Sequence, residues 1–192
     1  MDKLRLRIIA KELNGTISYR NQTSQQIEKK IYTSKPYKKA EMIFVYVNKK
    51  DEVETTEIIA HALKDGKRIC VPKCIDKENM IAVEIHDIKE CKKGFFGIKE
   101  PESDIAVDKS EIDLAIVPCV AASTKCQRVG HGNGYYDRYL QDTSFTKIGL
   151  CYQLLIVNSF DTEENDVDMD YIVTESFIYK RPSQDIEKEA TE

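Results

Sequence analysis

Residues 42–47, Met42-Ile43-Phe44-Val45-Tyr46-Val47, form an unbroken apolar run rich in β-branched and aromatic side chains, the pattern of a strand buried on both faces. A helical pattern follows from Thr55 or Thr56 through Ile58, Ile59, Ala62 and Leu63, closing at Asp65-Gly66. A second strand, Arg68-Ile69-Cys70-Val71, is expected to stop at Pro72. Strand, helix and strand in such close succession make a βαβ unit, which demands a parallel sheet and a right-handed crossover. The fold class is therefore α/β with a mostly parallel sheet.

Other segments fit that frame. Leu4, Ile8, Ile9 and Leu13 fall at helical spacing over residues 2–13, with Asn14-Gly15 as a left-handed stop and a basic opposite face. Thr23 to Gln26 has the form of a capping box and would open a second helix running to about Ser34. Residues 81–88 alternate like a half-exposed strand, and residues 91–101 make a glycine-containing connection. Residues 112–117 are a second buried strand, and residues 147–152 and 171–174 are further strands. No linker divides residues 1–180, which are expected to form one domain, and residues 181–192 are a polar tail.

Composition removes several classes of function. The longest apolar runs, residues 42–47 and 114–122, fall far short of the ~20 residues that span a bilayer. The start, Met1-Asp2-Lys3-Leu4-Arg5-Leu6-Arg7, alternates charge and has no apolar signal core, so a cytoplasmic protein with no membrane partner is expected. A net charge of −4 argues against broad nucleic-acid binding and requires any phosphate to be held by a local cluster of cations. The six cysteines contain no CxxC pair, and several sit in apolar runs, so they are expected to be reduced, buried thiols.

The most informative segment is Arg128-Val129-Gly130-His131-Gly132-Asn133-Gly134-Tyr135-Tyr136-Asp137-Arg138-Tyr139-Leu140. Glycines at every second position between a strand and a helix can turn successive N–H groups toward one point, an anion nest beside a helix N-terminus. A glycine loop that merely turns the chain has the same spacing. Arg128 offers a forked cation for phosphate oxygens and Asp137 a hard carboxylate for Mg²⁺. Tyr135 and Tyr136 either stack on a planar ligand or anchor the helix. Lys3 and Arg7, one helical turn apart, either clamp a polyphosphate or form a solvated basic face. Lys49-Lys50-Asp51-Glu52-Val53-Glu54-Thr55 lies past the C-terminal end of the first strand, where open α/β sheets collect ligands, and is either part of a site or a polar turn ending in an N-cap at Thr55. Asn165-Asp166-Val167-Asp168-Met169-Asp170 is either a source of metal carboxylates or a solvated loop.

The segment from Arg128 to Leu140 resembles the signature of the 5-formyltetrahydrofolate cyclo-ligase family, also called 5,10-methenyltetrahydrofolate synthetase. Further matches run along nearly the whole chain: the basic start, Asp51-Glu52-Val53-Glu54-Thr55, Gly66-Lys67 before Val71-Pro72, Gly97-Ile98-Lys99-Glu100-Pro101, Val117-Pro118, and Asn165-Asp166 with Asp170. The resemblance implies a Rossmann-like α/β/α sandwich of the sugar-phosphate isomerase and coenzyme A transferase type. It also implies ATP- and Mg²⁺-dependent conversion of 5-formyltetrahydrofolate to 5,10-methenyltetrahydrofolate; a monomer is expected.

Carried over by position, the resemblance makes Lys3, Leu4, Arg5, Leu6 and Arg7 part of the ATP site, with Lys3 and Arg7 on the phosphates. Arg128, Val129, Gly130, His131, Gly132, Asn133, Gly134, Tyr135 and Tyr136 would wrap the nucleotide. Val47, Glu52, His131, Gly132, Asn133, Gly134 and Tyr135 would face the folate. Asp137 and Asp166 would hold Mg²⁺, and Arg128 and Asp137 would serve catalysis. The chain departs from the family pattern at Ala122 and Ser123, where an aromatic and a carboxylate are usual, at Leu155 in place of Gln, and at Asn165 in place of His. Those departures leave open another formyl or carboxyl substrate, or a nucleotide- and folate-binding protein without turnover.

Overall fold

The computed structural model describes residues 2–94 and 97–182; the tail expected from residue 181 lies, beyond Pro182, outside the described residues. Helix α1 (Lys3–Asn14) buries Leu6, Ala10 and Asn14. Leu4 and Ile8, expected in the core, are 66% and 55% exposed. The buried stripe is rotated from the expected one because the face bearing Lys3 and Arg7 points into the molecule, where α1 packs on two short strands described below. Gly15 does not supply a left-handed stop; its φ is −63°, and the first left-handed residue is Tyr19 at φ 56°.

That Tyr19 conformation starts α2 (Arg20–Thr33) before Thr23. The Thr23 hydroxyl donates to the Tyr19 carbonyl at 3.1 Å instead of capping, so the expected box does not form. α2 buries Glu28 beside Ile27 and Ile31. Burial raises the pKa of Glu28, and the neighbouring charges of Glu57 and Glu54 add to the rise. A carboxyl with a folded pKa above its unfolded one destabilises the fold; the effect is absent below the unfolded value and grows as pH rises through the folded value. Glu28→Gln should therefore raise the melting temperature near pH 7 by a few degrees, a gain on the order of 1 kcal/mol, with little effect near pH 4. A loss of stability at pH 7 would show that the charge is compensated.

A short α3 (Lys35–Lys39), capped by Ser34, precedes β1 (Met42–Val45). Then come α4 (Thr56–Lys64), β2 (Arg68–Cys74) and β3 (Met80–Ile85). Pro72 does not stop β2. β1 pairs with β2 only as far as Cys70, and beyond it β2 is paired in the sheet only with β3, the edge-like setting in which a missing N–H is tolerated. Residues 91–101 include a hairpin of β4 (Cys91–Lys93) and β5 (Lys99–Pro101) rather than a plain connection. β6 (Leu114–Pro118) is buried throughout. β7 (Ala121–Ser123), β8 (Arg128–Val129) and, later, β10 (Ile156–Val157) make a separate three-stranded sheet. Its β7 and β8 are the strands that support α1. α5 (Tyr135–Leu140), β9 (Thr146–Leu150), β11 (Tyr171–Val173) and β12 (Ile178–Lys180) complete the chain.

The main sheet has the order β12-β11-β9-β6-β1-β2-β3. β2, β1, β6, β9 and β11 are mutually parallel, and the edges β3 and β12 are antiparallel. No residue of β1 or β6 is exposed. Phe44 of β1 stacks on Tyr139 of α5 at 5.1 Å between ring centroids and lies 6.3 Å from Tyr136, so the helix after the glycines is fastened to the central strand. From β1 the chain runs outward through β2 and β3, then returns beside β1 as β6 and runs the other way. This reversal opens a crevice at the C-terminal ends of β1 and β6.

Candidate functional site

A cleft of about 590 Å³ occupies that crevice, with Val47 beyond β1 and Pro118 of β6 on its wall. Its volume is that of a small-molecule site. The glycine segment, the first turn of α5, the inward face of α1 and the loop after β1 form most of the remaining lining.

Gly132 and Gly134 have φ values of 108° and 68°. Gly130 does not use the left-handed region. A Cβ there would stand 2.7 Å from Arg128 Nη1, so glycine is needed because the guanidinium lies against it. No backbone N–H from Gly130 to Gly134 donates to another described residue, which leaves five adjacent donors for a ligand.

Arg128 is 5% exposed. Its Nη2 donates to Asp137 Oδ1 at 2.8 Å and Nη1 to the Pro118 carbonyl at 3.4 Å, and its guanidinium carbon lies 5.6 Å from the Tyr136 ring centre. Its Nε has no partner among the described residues. Arg128 is thus a charge set beneath the glycine loop, with part of its fork held by a carboxylate.

From α1, Arg7 Nε donates to the Gly130 carbonyl at 2.8 Å. The Arg7 guanidinium carbon is 3.6 Å from where a Gly132 Cβ would stand. Among the described residues its two terminal nitrogens have no hydrogen-bond partner. Lys3 Nζ contacts both Asp166 oxygens at 2.7 Å and lies 3.3 Å from Glu163. Burial opposes the charge on Lys3, but Asp166 and Glu163 outweigh it and hold its pKa above the ordinary lysine value.

The other wall is built on the loop after β1. Glu52, 6% exposed, bonds His131 Nε2 of the glycine loop at 2.9 Å and accepts from the Lys49 N–H at 2.7 Å. This pair crosses 79 residues of sequence and has no sequence signal. Tyr135 donates to the Asp76 carbonyl and Arg138 to the carbonyls of Glu78 and Asn133, each at 2.7 Å. These bonds tie the glycine loop to the turn between β2 and β3.

Most expected site residues therefore meet in one place. Lys3, Arg7, Val47, Glu52, Arg128, Gly130, His131, Gly132, Asn133, Gly134, Tyr135, Tyr136, Asp137 and Asp166 all line the cleft. Leu4 and Arg5 are turned to solvent, and Leu6 and Val129 lie in the core, as the helical period and the β8 pairing dictate. Sequence reasoning missed Cys74, Met80, Arg138 and Glu163, and it used Ile98 and Glu100 only as markers of resemblance; all six line the cleft. Of the six free cysteines only Cys74 is not fully buried. Burial raises its thiol to about 11, and that of Cys119 to about 12, as expected for unreactive thiols.

Among the described residues no group of three or more His, Cys, Asp and Glu side chains could hold a metal by itself. Asp137 and Asp166 are neighbours: Asp137 Oδ1 accepts from the N–H of Val167, the next residue after Asp166, at 3.4 Å. Two carboxylates suit Mg²⁺ when phosphate oxygens and waters supply the other ligands, so the donor set fits a nucleotide-bound Mg²⁺.

Residues 2–175 match the pattern of the 5-formyltetrahydrofolate cyclo-ligase family. The chain belongs to that family. A probable 5-formyltetrahydrofolate cyclo-ligase of Caenorhabditis elegans is 31% identical over 191 residues, covering 90% of this chain and 92% of the relative. The 5-formyltetrahydrofolate cyclo-ligase of Escherichia coli K12 is 27% identical, covering 86% of this chain and 94% of the relative. The fold is similar to that of the Aquifex aeolicus 5,10-methenyltetrahydrofolate synthetase, with a TM-score of 0.84, 27% identity, and coverage of 95% and 94% of the two chains. As a cyclo-ligase family member the chain is an enzyme of this class. Of its departures from the family pattern, Ala122, Ser123 and Leu155 do not line the cleft. Ser123 instead bonds within its own turn, accepting from the N–H groups of Lys125 and Gln127 at 3.2 Å. Asn165 does line the cleft.

Proposed function

We propose that this chain cyclises 5-formyltetrahydrofolate to 5,10-methenyltetrahydrofolate, using ATP with Mg²⁺ and releasing ADP and phosphate. The observation that carries this reading is the free fork of Arg7, set beside five unpaired backbone N–H groups and opposite Glu52 and His131 in one cleft. Cations and oriented amides on one wall suit polyphosphate, and the Glu52–His131 wall offers polar anchors for a pterin.

A formyl oxygen leaves poorly. Transfer of the γ-phosphoryl group from ATP to that oxygen makes it a phosphate leaving group and releases ADP; N10 then attacks the formyl carbon, gives up its proton to water, and phosphate departs with the C–O bond. The protein's share is positioning and charge neutralisation. Lys3, Arg7 and the 130–134 amides hold the phosphates. Arg128 fixes Asp137, and Glu52 with His131 orients the folate. Asp137 and Asp166 hold Mg²⁺, which supplies neutralisation of the phosphate oxygens.

Absorbance of the methenyl product, with 5-formyltetrahydrofolate, ATP and Mg²⁺ all present and then each omitted, tests the proposal. Product should need all three, and product formed without ATP would refute it. Asp137→Asn should lower turnover far more than nucleotide affinity, and Asp166→Asn should act in the same direction but less, because Lys3 already neutralises Asp166. Normal rates and an unchanged Mg²⁺ dependence in both variants would remove the metal role.

A further inference from the structure

The loop that carries Glu52 has no regular structure between residues 46 and 55, yet Glu52 is buried. Three consecutive carbonyls of this loop each accept a hydrogen bond from a nearly buried side chain, two of them from outside the loop. Asn14, at the end of α1, donates from Nδ2 to the Asp51 carbonyl at 2.8 Å. Tyr152, beyond β9, donates to the Glu52 carbonyl at 3.1 Å. Tyr46, beyond β1, donates to the Val53 carbonyl at 2.7 Å. Arg20, in the first turn of α2, bonds both the carbonyl and the side-chain oxygen of Asn14, and its guanidinium lies 5.2 Å from the Tyr152 ring centre. Asn14, Tyr46 and Tyr152 are 9%, 1% and 2% exposed.

We propose that Asn14 and Tyr152 are positioning residues for the reaction, setting the height and direction at which Glu52 meets the folate. This rests on the folate-facing role of Glu52 proposed above. The argument is geometric. The Glu52 side chain can be placed within a few tenths of an ångström only if its backbone is. The loop has no ladder, and its own bonds here are the Glu52 N–H to the Lys49 carbonyl at 3.2 Å and the Lys49 N–H to Glu52 at 2.7 Å. Side-chain donors from other elements tie that backbone to the rest of the fold. Misplacement of about 1 Å at such a group weakens productive binding steeply. Two of the three donors come from α1 and from the segment after β9, so the folate wall takes its register from elements outside its own loop. Neither Asn14 nor Tyr152 lines the cleft.

The test uses Tyr152→Phe, which removes one hydroxyl, and Asn14→Ser, which shortens the donor. KM for 5-formyltetrahydrofolate, KM for ATP, direct binding of 5-formyltetrahydrofolate by calorimetry, and melting temperature are measured for both, with Glu52→Gln alongside. The expected result is a rise of about tenfold in folate KM and Kd, with ATP KM and the melting temperature nearly unchanged. Equal loss toward both substrates, or no loss toward folate, in variants that melt normally would overturn the positioning role. If Tyr152→Phe does not fold, the same comparison on Asn14→Ser decides. Unchanged folate binding in Glu52→Gln would instead overturn the folate-facing role of Glu52, and the positioning role with it. A folate defect in Glu52→Gln without one in Tyr152→Phe and Asn14→Ser would overturn the positioning role alone.

Discussion

Arg128→Ala should lower stability by on the order of 3 kcal/mol, because it removes a buried side chain together with its hydrogen bonds to Asp137 and the Pro118 carbonyl. For a chain of this length that is roughly a 6–12 °C fall in melting temperature. The side chain of Arg128 is 2% exposed and that of Asp137 21%, so the loss falls mainly on the packing and hydrogen bonds of the guanidinium. Nucleotide affinity should fall as well, by tenfold or more, while folate affinity changes less. Arg128→Lys should rescue little, since a single ammonium cannot reach both Asp137 and the Pro118 carbonyl. The pair can be isolated by a double-mutant cycle with Asp137→Ala: additive effects on melting would show that the two side chains do not support one another.

Gly130→Ala should reduce turnover by about a hundredfold with only a modest effect on melting. Its backbone tolerates a side chain, since Gly130 is not among the positive-φ glycines. The obstacle is Arg128 Nη1, 2.7 Å from the new Cβ, and Arg128 cannot retreat because Asp137 and Pro118 hold it. Gly134→Ala is the contrasting case. Its Cβ would stand 2.6 Å from Arg138 Nη1, but Arg138 is exposed and can move at the cost of its bonds to the Glu78 and Asn133 carbonyls, which adds to left-handed strain of about 1 kcal/mol. Stopped-flow or steady-state rates for the two variants distinguish them, and a Gly130→Ala enzyme as active as Gly134→Ala would show that the seat of Arg128 is not critical.

The contrast between these glycines marks where sequence reasoning succeeds. The central strands were legible because burial on both faces writes an unbroken apolar run, as in Met42–Val45 and Leu114–Pro118. The short sheet of β7, β8 and β10 was not, because strands of two or three residues carry no period. α1 was legible as a helix but not in its orientation. Leu4 and Ile8 of its expected stripe are exposed, and its inward face carries Lys3 and Arg7 beside Leu6, Ala10 and Asn14, a rotation that makes sense only with the cleft in view. The glycine loop announced a nest, but its pairing of His131 with Glu52 and of Arg128 with Asp137 is tertiary. The carbonyl clamp on residues 51–53 was invisible because Asn14 looked like a helix stop.

The bond between Lys3 and Asp166 joins positions 163 residues apart. A contact that distant carries a large loop-closure cost, which only the docked fold repays. The two α1 cations proposed to hold phosphate both depend on that docking, so partly folded forms of the chain would lack the complete site proposed for the nucleotide. Binding would then select the fully closed state by mass action, adding about 2.7 kcal/mol of stability when free ligand stands at a hundred times its dissociation constant. If the chain binds nucleotide as proposed, the supply of that ligand would enter its folding equilibrium.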